Sequence, residues 1–186
     1  MLFNDRLHSA LLVAENKVDD KSEILTDLRD VSDALSSPIT IIGGIAVAAH
    51  NYPRYTKDID IIVKTADATK IANYLLETGK YENIGQNKLK HHLGVIINIC
   101  TEGVKAGLLP FPPPQNESGV AVVSLPLLLA LKTEANRYKD RADVVELIKR
   151  NEITQEYLQQ QVIPLIRDQL SIQRITKLWD AANNEL

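Results

Sequence analysis

Ile41-Ile42-Gly43-Gly44-Ile45-Ala46-Val47-Ala48-Ala49-His50 and, three residues later, Arg54-Tyr55-Thr56-Lys57-Asp58-Ile59-Asp60-Ile61-Ile62-Val63 carry most of what this chain says about itself. They read as a buried strand, a double-glycine turn, a short helix and a second strand. Side chains alternate along a strand, so Asp58 and Asp60 share one face while Ile59, Ile61 and Val63 point into a core. Two carboxylates side by side repel unless a cation or another partner offsets them. A hard ion such as Mg2+ takes carboxylate oxygens together with substrate phosphates. The turn of Gly43 and Gly44 opens a helix with free backbone N–H groups and no side-chain bulk, which suits a phosphate. A phosphate cradle beside metal-binding carboxylates is equipment for phosphoryl or nucleotidyl transfer. The rival reading is a plain tight turn followed by the solvated face of an edge strand. The flanking Ile59, Ile61, Ile62 and Val63 argue for a central strand, where an unneutralised pair is costly.

At these residues the chain resembles the nucleotidyltransferase superfamily, whose fold is shared with DNA polymerase beta. It is more similar still to small nucleotidyltransferases of the abortive-infection and toxin–antitoxin type. Their pattern Gly-Gly-x-Ala-x-x-x-His-Gly-x-x-Arg-x-Thr-x-Asp-x-Asp is met in order by Gly43, Gly44, Ala46, His50, Arg54, Thr56, Asp58 and Asp60. Asn51 replaces the usual glycine, and asparagine tolerates the left-handed backbone that the turn needs. The stretch from Gly94 to Cys100 resembles the strand that carries the family's third acid. Phe111-Pro112-Pro113-Pro114 resembles the loop beyond it. Ser124 to Lys132 resembles a Ser-x-x-x-Leu-x-x-x-Lys helix, and Lys139-Asp140-Arg141-Ala142-Asp143 a Lys-Asp-x-x-Asp segment. The likeness runs from about Ser36 to Lys149.

The resemblance implies a mixed-sheet α/β (α+β) core, Mg2+ on Asp58 and Asp60, and a nucleoside triphosphate as substrate. Lys132, on an apolar helical face, either snorkels to solvent or enters a pocket; the resemblance makes it a triphosphate contact. Arg54 and Thr56 hold the loop before the strand, with Arg54 also in reach of phosphate. The departure is Asn98, which stands where the family has Asp. By alternation it shares a face with Ile96 and Cys100. An amide oxygen ligates a metal weakly and takes no proton from a hydroxyl. Glu102 lies about 13 Å along the strand and does not replace it. An active enzyme and a nucleotide-binding or protein-interaction module with little chemistry are therefore both carried forward. The acceptor is open among a tRNA, a protein and a small molecule. The toxin–antitoxin likeness implies an antitoxin protein as a further partner.

The whole chain fits this frame. Its 186 residues suffice for one compact unit. It reads as N-terminal helices over 1–35, a core over 36–123 and a helical region over 124–186. A net charge of −3 advertises no general affinity for nucleic acid, though a local basic groove hides easily in such a total. The single cysteine, Cys100, permits no disulfide within the chain, as expected in the cytoplasm. Residues 1–5 lack a signal-peptide start, and no apolar run reaches the ~18 residues of a membrane span, so no membrane partner is expected.

Helical spacing predicts helices over 2–15, 22–35, 66–78, 124–138 and 140–149, with one or two more over 154–182. Strands are expected over 38–42, 58–63, 95–100 and 120–123, a short strand or hairpin over 81–91, and a loop over 101–118. Ser124 is a candidate N-cap, with Pro126 tolerated in the first turn. His50 reads as a helix-end residue. His91-His92 has no other His or Cys at ligand spacing and reads as surface or strand-pairing rather than zinc. Asp140 and Asp143, one turn apart near Arg137 and Arg141, read as local ion pairs.

Overall fold

The computed structural model describes residues 21–102 and 119–184. The expected helix over 2–15, all of the expected 101–118 loop beyond residue 102, and the Phe111–Pro114 resemblance lie outside them. The described elements are α1 (Lys21–Leu35), β1 (Ile39–Ile42), α2 (Gly43–Ala49), β2 (Asp58–Val63), α3 (Ala68–Glu77), β3 (Tyr81–Gly85), β4 (Lys88–His91), β5 (Ile96–Thr101), β6 (Val120–Val122), α4 (Leu125–Ala135), α5 (Tyr138–Arg150) and α6 (Gln169–Asn184). Between α5 and α6 the chain makes one α-helical turn, a π turn and a 3₁₀ turn over 155–165.

Among the described residues, six strands form one mixed sheet in the order β3-β4-β5-β2-β1-β6. β2 is central, parallel to β5 and antiparallel to β1. β6 runs parallel to β1, and β3-β4 is an antiparallel hairpin on the far edge. Alternation divides each central strand between two cores. Ile59, Ile61 and Val63 with Ile97, Ile99, Ile39 and Ile41 meet α1 and α3 on one face. Ile62, Ile42 and Cys100 meet α4, α5 and α6 on the other. The two carboxylates of β2 replace isoleucines on this second face, so the helices of the C-terminal region stand over them.

α1 and α3 are amphipathic and bury one stripe each: Ile24, Leu28 and Val31, then Ile71 and Leu75, all essentially inaccessible. α1 stops at Ser36, which has a left-handed φ of 48°, and Ser37 N–H bonds back to Ser32 O at 3.0 Å. Asn51 takes φ 67°, as expected of the residue in the glycine's place.

The expected helix 124–138 is shorter. It ends at Ala135 because Asn136 turns left-handed at φ 51°, and α5 restarts at Tyr138. That break re-aims the following helix and brings Asp140 and Asp143 back toward Lys132. Ser124 occupies the N-cap position, but its hydroxyl makes no capping bond. Among the described residues, no helix is long and apolar enough to cross a membrane.

Candidate functional site

Asp60 is the centre of the arrangement. It is flanked in register by Ile42 on β1 and by Asn98 on β5. Gly43 follows Ile42 directly and turns the chain into α2 with φ +68°. A Cβ on Gly43 would fall inside the Asp60 carboxylate. A Cβ on Gly44 would stand 2.6 Å from Thr56 Oγ1. Both glycines are thus demanded by close approach, and at Gly43 by backbone conformation as well. Thr56 in turn donates to Asp58 O at 3.2 Å, bracing the entry to β2.

Asn98 faces Asp60: its Nδ2 donates to Asp60 Oδ1 at 2.9 Å. The amide supplies a hydrogen-bond donor where a carboxylate would have repelled. Gly43, Gly44, Arg54, Thr56, Asp58, Asp60, Asn98 and Lys132 all line one cleft of about 160 Å³, together with Arg137, Lys139 and Asp140. The candidate glycines, carboxylates, Asn98, Arg54, Thr56 and Lys132 therefore line the same cleft.

The wall opposite the sheet is a chain of ion pairs. Arg54 grips Asp143 with two parallel bonds, Nε to Oδ1 at 2.7 Å and Nη2 to Oδ2 at 2.8 Å. Lys132 Nζ donates to Asp143 Oδ2 at 2.7 Å and to Asp140 Oδ1 at 3.0 Å. Arg137 closes the series through Nε and Nη2 on Asp140. Burial pushes the Asp140 carboxyl up, but Arg137 and Lys132 together outweigh it and hold it below the usual carboxylate range. Asp140 likewise holds Arg137 firmly charged.

One open alternative is decided here and one expectation is corrected. Lys132 does not snorkel: it is 5% exposed, and its ammonium is engaged by two aspartates. Asp143 is not a local pair with Arg141; its partners come from 89 residues upstream and from α4. Arg54, expected to brace a loop, does so by tying that loop to α5. Arg137 and Lys139 are cleft residues that periodicity did not mark. Arg137 is 60% exposed and lies within the field of Asp60. Only its place beside the Lys-Asp-x-x-Asp segment hinted at this. His50 ends α2, its Nε2 2.7 Å from Val123 O, and does not line the cleft.

A second cluster was not legible. Glu23, His91 and His92 bring three donor atoms within 4.8 Å of one another and could hold a divalent cation. His91 pairs with Tyr81 across the hairpin, as a strand-pairing residue should, but it is wholly buried rather than at the surface. Glu23 arrives from α1, which no spacing around His91-His92 could reveal. Leu89 belongs to the core under α1, so by alternation His91 sits on the sheet face opposite Asp60 and Asn98.

No family model and no curated protein matches the chain. Among solved structures it is similar to the antibiotic-resistance factor ANT(2'')-Ia, a protein described as having substrate-regulated conformation dynamics. The identity is 12% and the TM-score 0.49, over 88% of this chain and 92% of that chain.

Proposed function

We propose that the cleft binds a nucleoside triphosphate with Mg2+ and transfers its nucleotidyl group to an acceptor hydroxyl. The observation that carries this reading is the convergence of two β2 carboxylates and the Gly43-Gly44 turn on one cavity with a cationic wall. The donor set suits the ion: Asp58 and Asp60 offer charged oxygens, and the Asn98 amide offers an uncharged third. Bound there, Mg2+ would neutralise phosphate charge and ease departure of pyrophosphate.

The chain's own residues do the rest. Gly43 and Gly44 would present backbone N–H groups to phosphate oxygens from a turn where a Cβ would collide with Asp60 or Thr56. Arg137 and Lys139, the cations not fully absorbed by the buried network, meet the triphosphate. Lys132 contributes its remaining donor and keeps the wall positive, since Arg54, Lys132 and Arg137 exceed Asp140 and Asp143 by one charge. Asn98 positions Asp60. In the transfer step the acceptor oxygen bonds to the α-phosphorus and the bond to the β-phosphate oxygen breaks. The hydroxyl proton passes to solvent or substrate, because Asn98 accepts none.

The second reading, a binding module with weak chemistry, is favoured by that same Asn98–Asp60 bond. As a toxin of a two-protein system the chain would act in the cytoplasm and be paired with an antitoxin. The experiment is transfer of α-labelled nucleotides to tRNA, protein and small-molecule fractions of a cell extract. Mg2+-dependent label on one fraction, lost in Asp60→Ala, supports the enzyme; triphosphate binding with no label on any fraction supports the module.

A further inference from the structure

We propose that Glu23, His91 and His92 form a site for a zinc-class divalent ion (Zn2+, Co2+ or Ni2+) that clasps α1 to the β3-β4 hairpin, independent of the cleft. Nε2 of His92 lies 3.7 Å from Glu23 Oε1, and Nε2 of His91 lies 4.0 Å from it. Ligands about 2.0–2.1 Å from a tetrahedral ion stand roughly 3.4 Å apart, so a small closure completes the set. The independent sign of a missing ligand is His91 itself. Its ring is 0% exposed, and Nε2 has no hydrogen-bond partner. A buried polar nitrogen is costly to leave unmade.

The surroundings favour a cation. Asp27 Oδ2 is also 4.0 Å from His91 Nε2 and adds negative charge behind the ligands. Lys80 Nζ now bridges Glu23 Oε1 at 3.0 Å and Asp27 Oδ1 at 2.8 Å. An entering ion takes Glu23 from Lys80, which keeps Asp27. Asp27 is held in place by the Tyr81 hydroxyl at 2.8 Å. His91 Nδ1 accepts a long 3.3 Å bond from Leu93 N–H. Coordination at Nε2 moves the ring proton to Nδ1, and the turn after β4 gives that bond up. His92, 52% exposed, provides the way in and leaves a fourth position for water. Imidazole nitrogens select zinc-class ions, whereas Mg2+ demands oxygen.

The test is titration of the full chain with Co2+ in excess Mg2+, which saturates oxygen-rich sites. One Co2+ per chain with tetrahedral visible absorption, displaced by Zn2+, is expected. His92→Ala, at an exposed position, should weaken binding by at least about tenfold, and Glu23→Gln likewise. Zn2+ should raise the melting temperature of the wild type but not of His92→Ala. Absence of tetrahedral absorption, or equal affinity in wild type and His92→Ala, would overturn the site.

Discussion

The side-chain amide of Asn98 donates a 2.9 Å hydrogen bond to Oδ1 of Asp60, its register partner on the neighbouring parallel strand. A neutral donor here stabilises one carboxylate where a third acid would have crowded it. Asn98→Asp should therefore lower the melting temperature in chelator, because two facing carboxylates repel. Mg2+ should restore much of that loss. The same variant should raise nucleotidyl transfer by about 10²–10⁴-fold, the range of general-base help. A variant as stable as the wild type in chelator and no faster would show that Asn98 faces neither Asp60 nor the reacting hydroxyl.

Gly43→Ala should abolish triphosphate binding. It combines a left-handed φ of +68° with a Cβ that intrudes on the Asp60 carboxylate. Gly44→Ala, which meets Thr56 Oγ1 and Cβ at 2.6 and 2.7 Å but carries no left-handed φ, should weaken binding less, through a shift of the Thr56 backbone. Nucleotide titrations of both variants, with circular dichroism to verify folding, check the order. Equal affinities for wild type and Gly43→Ala would remove the phosphate cradle from the account.

Lys132 and Arg137 should separate stability from binding. Lys132→Met takes one cation from two buried aspartates and should cost about 3–5 kcal/mol in denaturant unfolding. Arg137→Ala, at a side chain 60% exposed, should cost far less stability yet lower triphosphate affinity. If Arg137→Ala binds triphosphate as wild type does, the cationic wall is structural only.

Much of this was readable from sequence, and the failures have physical causes. The common strand face of Asp58, Asp60 and Asn98 is legible because period-two alternation is local and Ile59, Ile61, Ile97 and Ile99 mark the other face. The left-handed Asn51 followed from its side chain. Asn136 takes the same conformation, but nothing near it distinguished a helix break from a helical asparagine. The partners of Lys132 and the fate of Asp143 depend on that break, so both were missed. Glu23 beside His91 is a contact between a helix and a hairpin 68 residues apart, which no spacing encodes.

Glu134 on α4 makes stability pH-dependent away from the cleft. Burial, then the nearby Asp168 charge, pushes its carboxyl up to about 7, with Arg167 offsetting part. A raised carboxyl contributes stability fully below its unfolded value near 4.3 and loses it as pH rises through 7. Glu134→Gln should therefore raise the melting temperature at pH 8 and change it little at pH 4. An equal gain at both values would mean that the charge is not what burial penalises.

The most direct measurement is calorimetry of a non-hydrolysable nucleoside triphosphate against wild type and Asp60→Ala, each with Mg2+ and with chelator. Asp60 is the group on which Gly43 and Asn98 both converge, and it binds phosphate only through a cation. Saturable binding in the wild type with Mg2+, falling sharply in chelator and in Asp60→Ala, is the predicted result. Affinity unchanged by removing either Mg2+ or the Asp60 carboxylate would contradict the account.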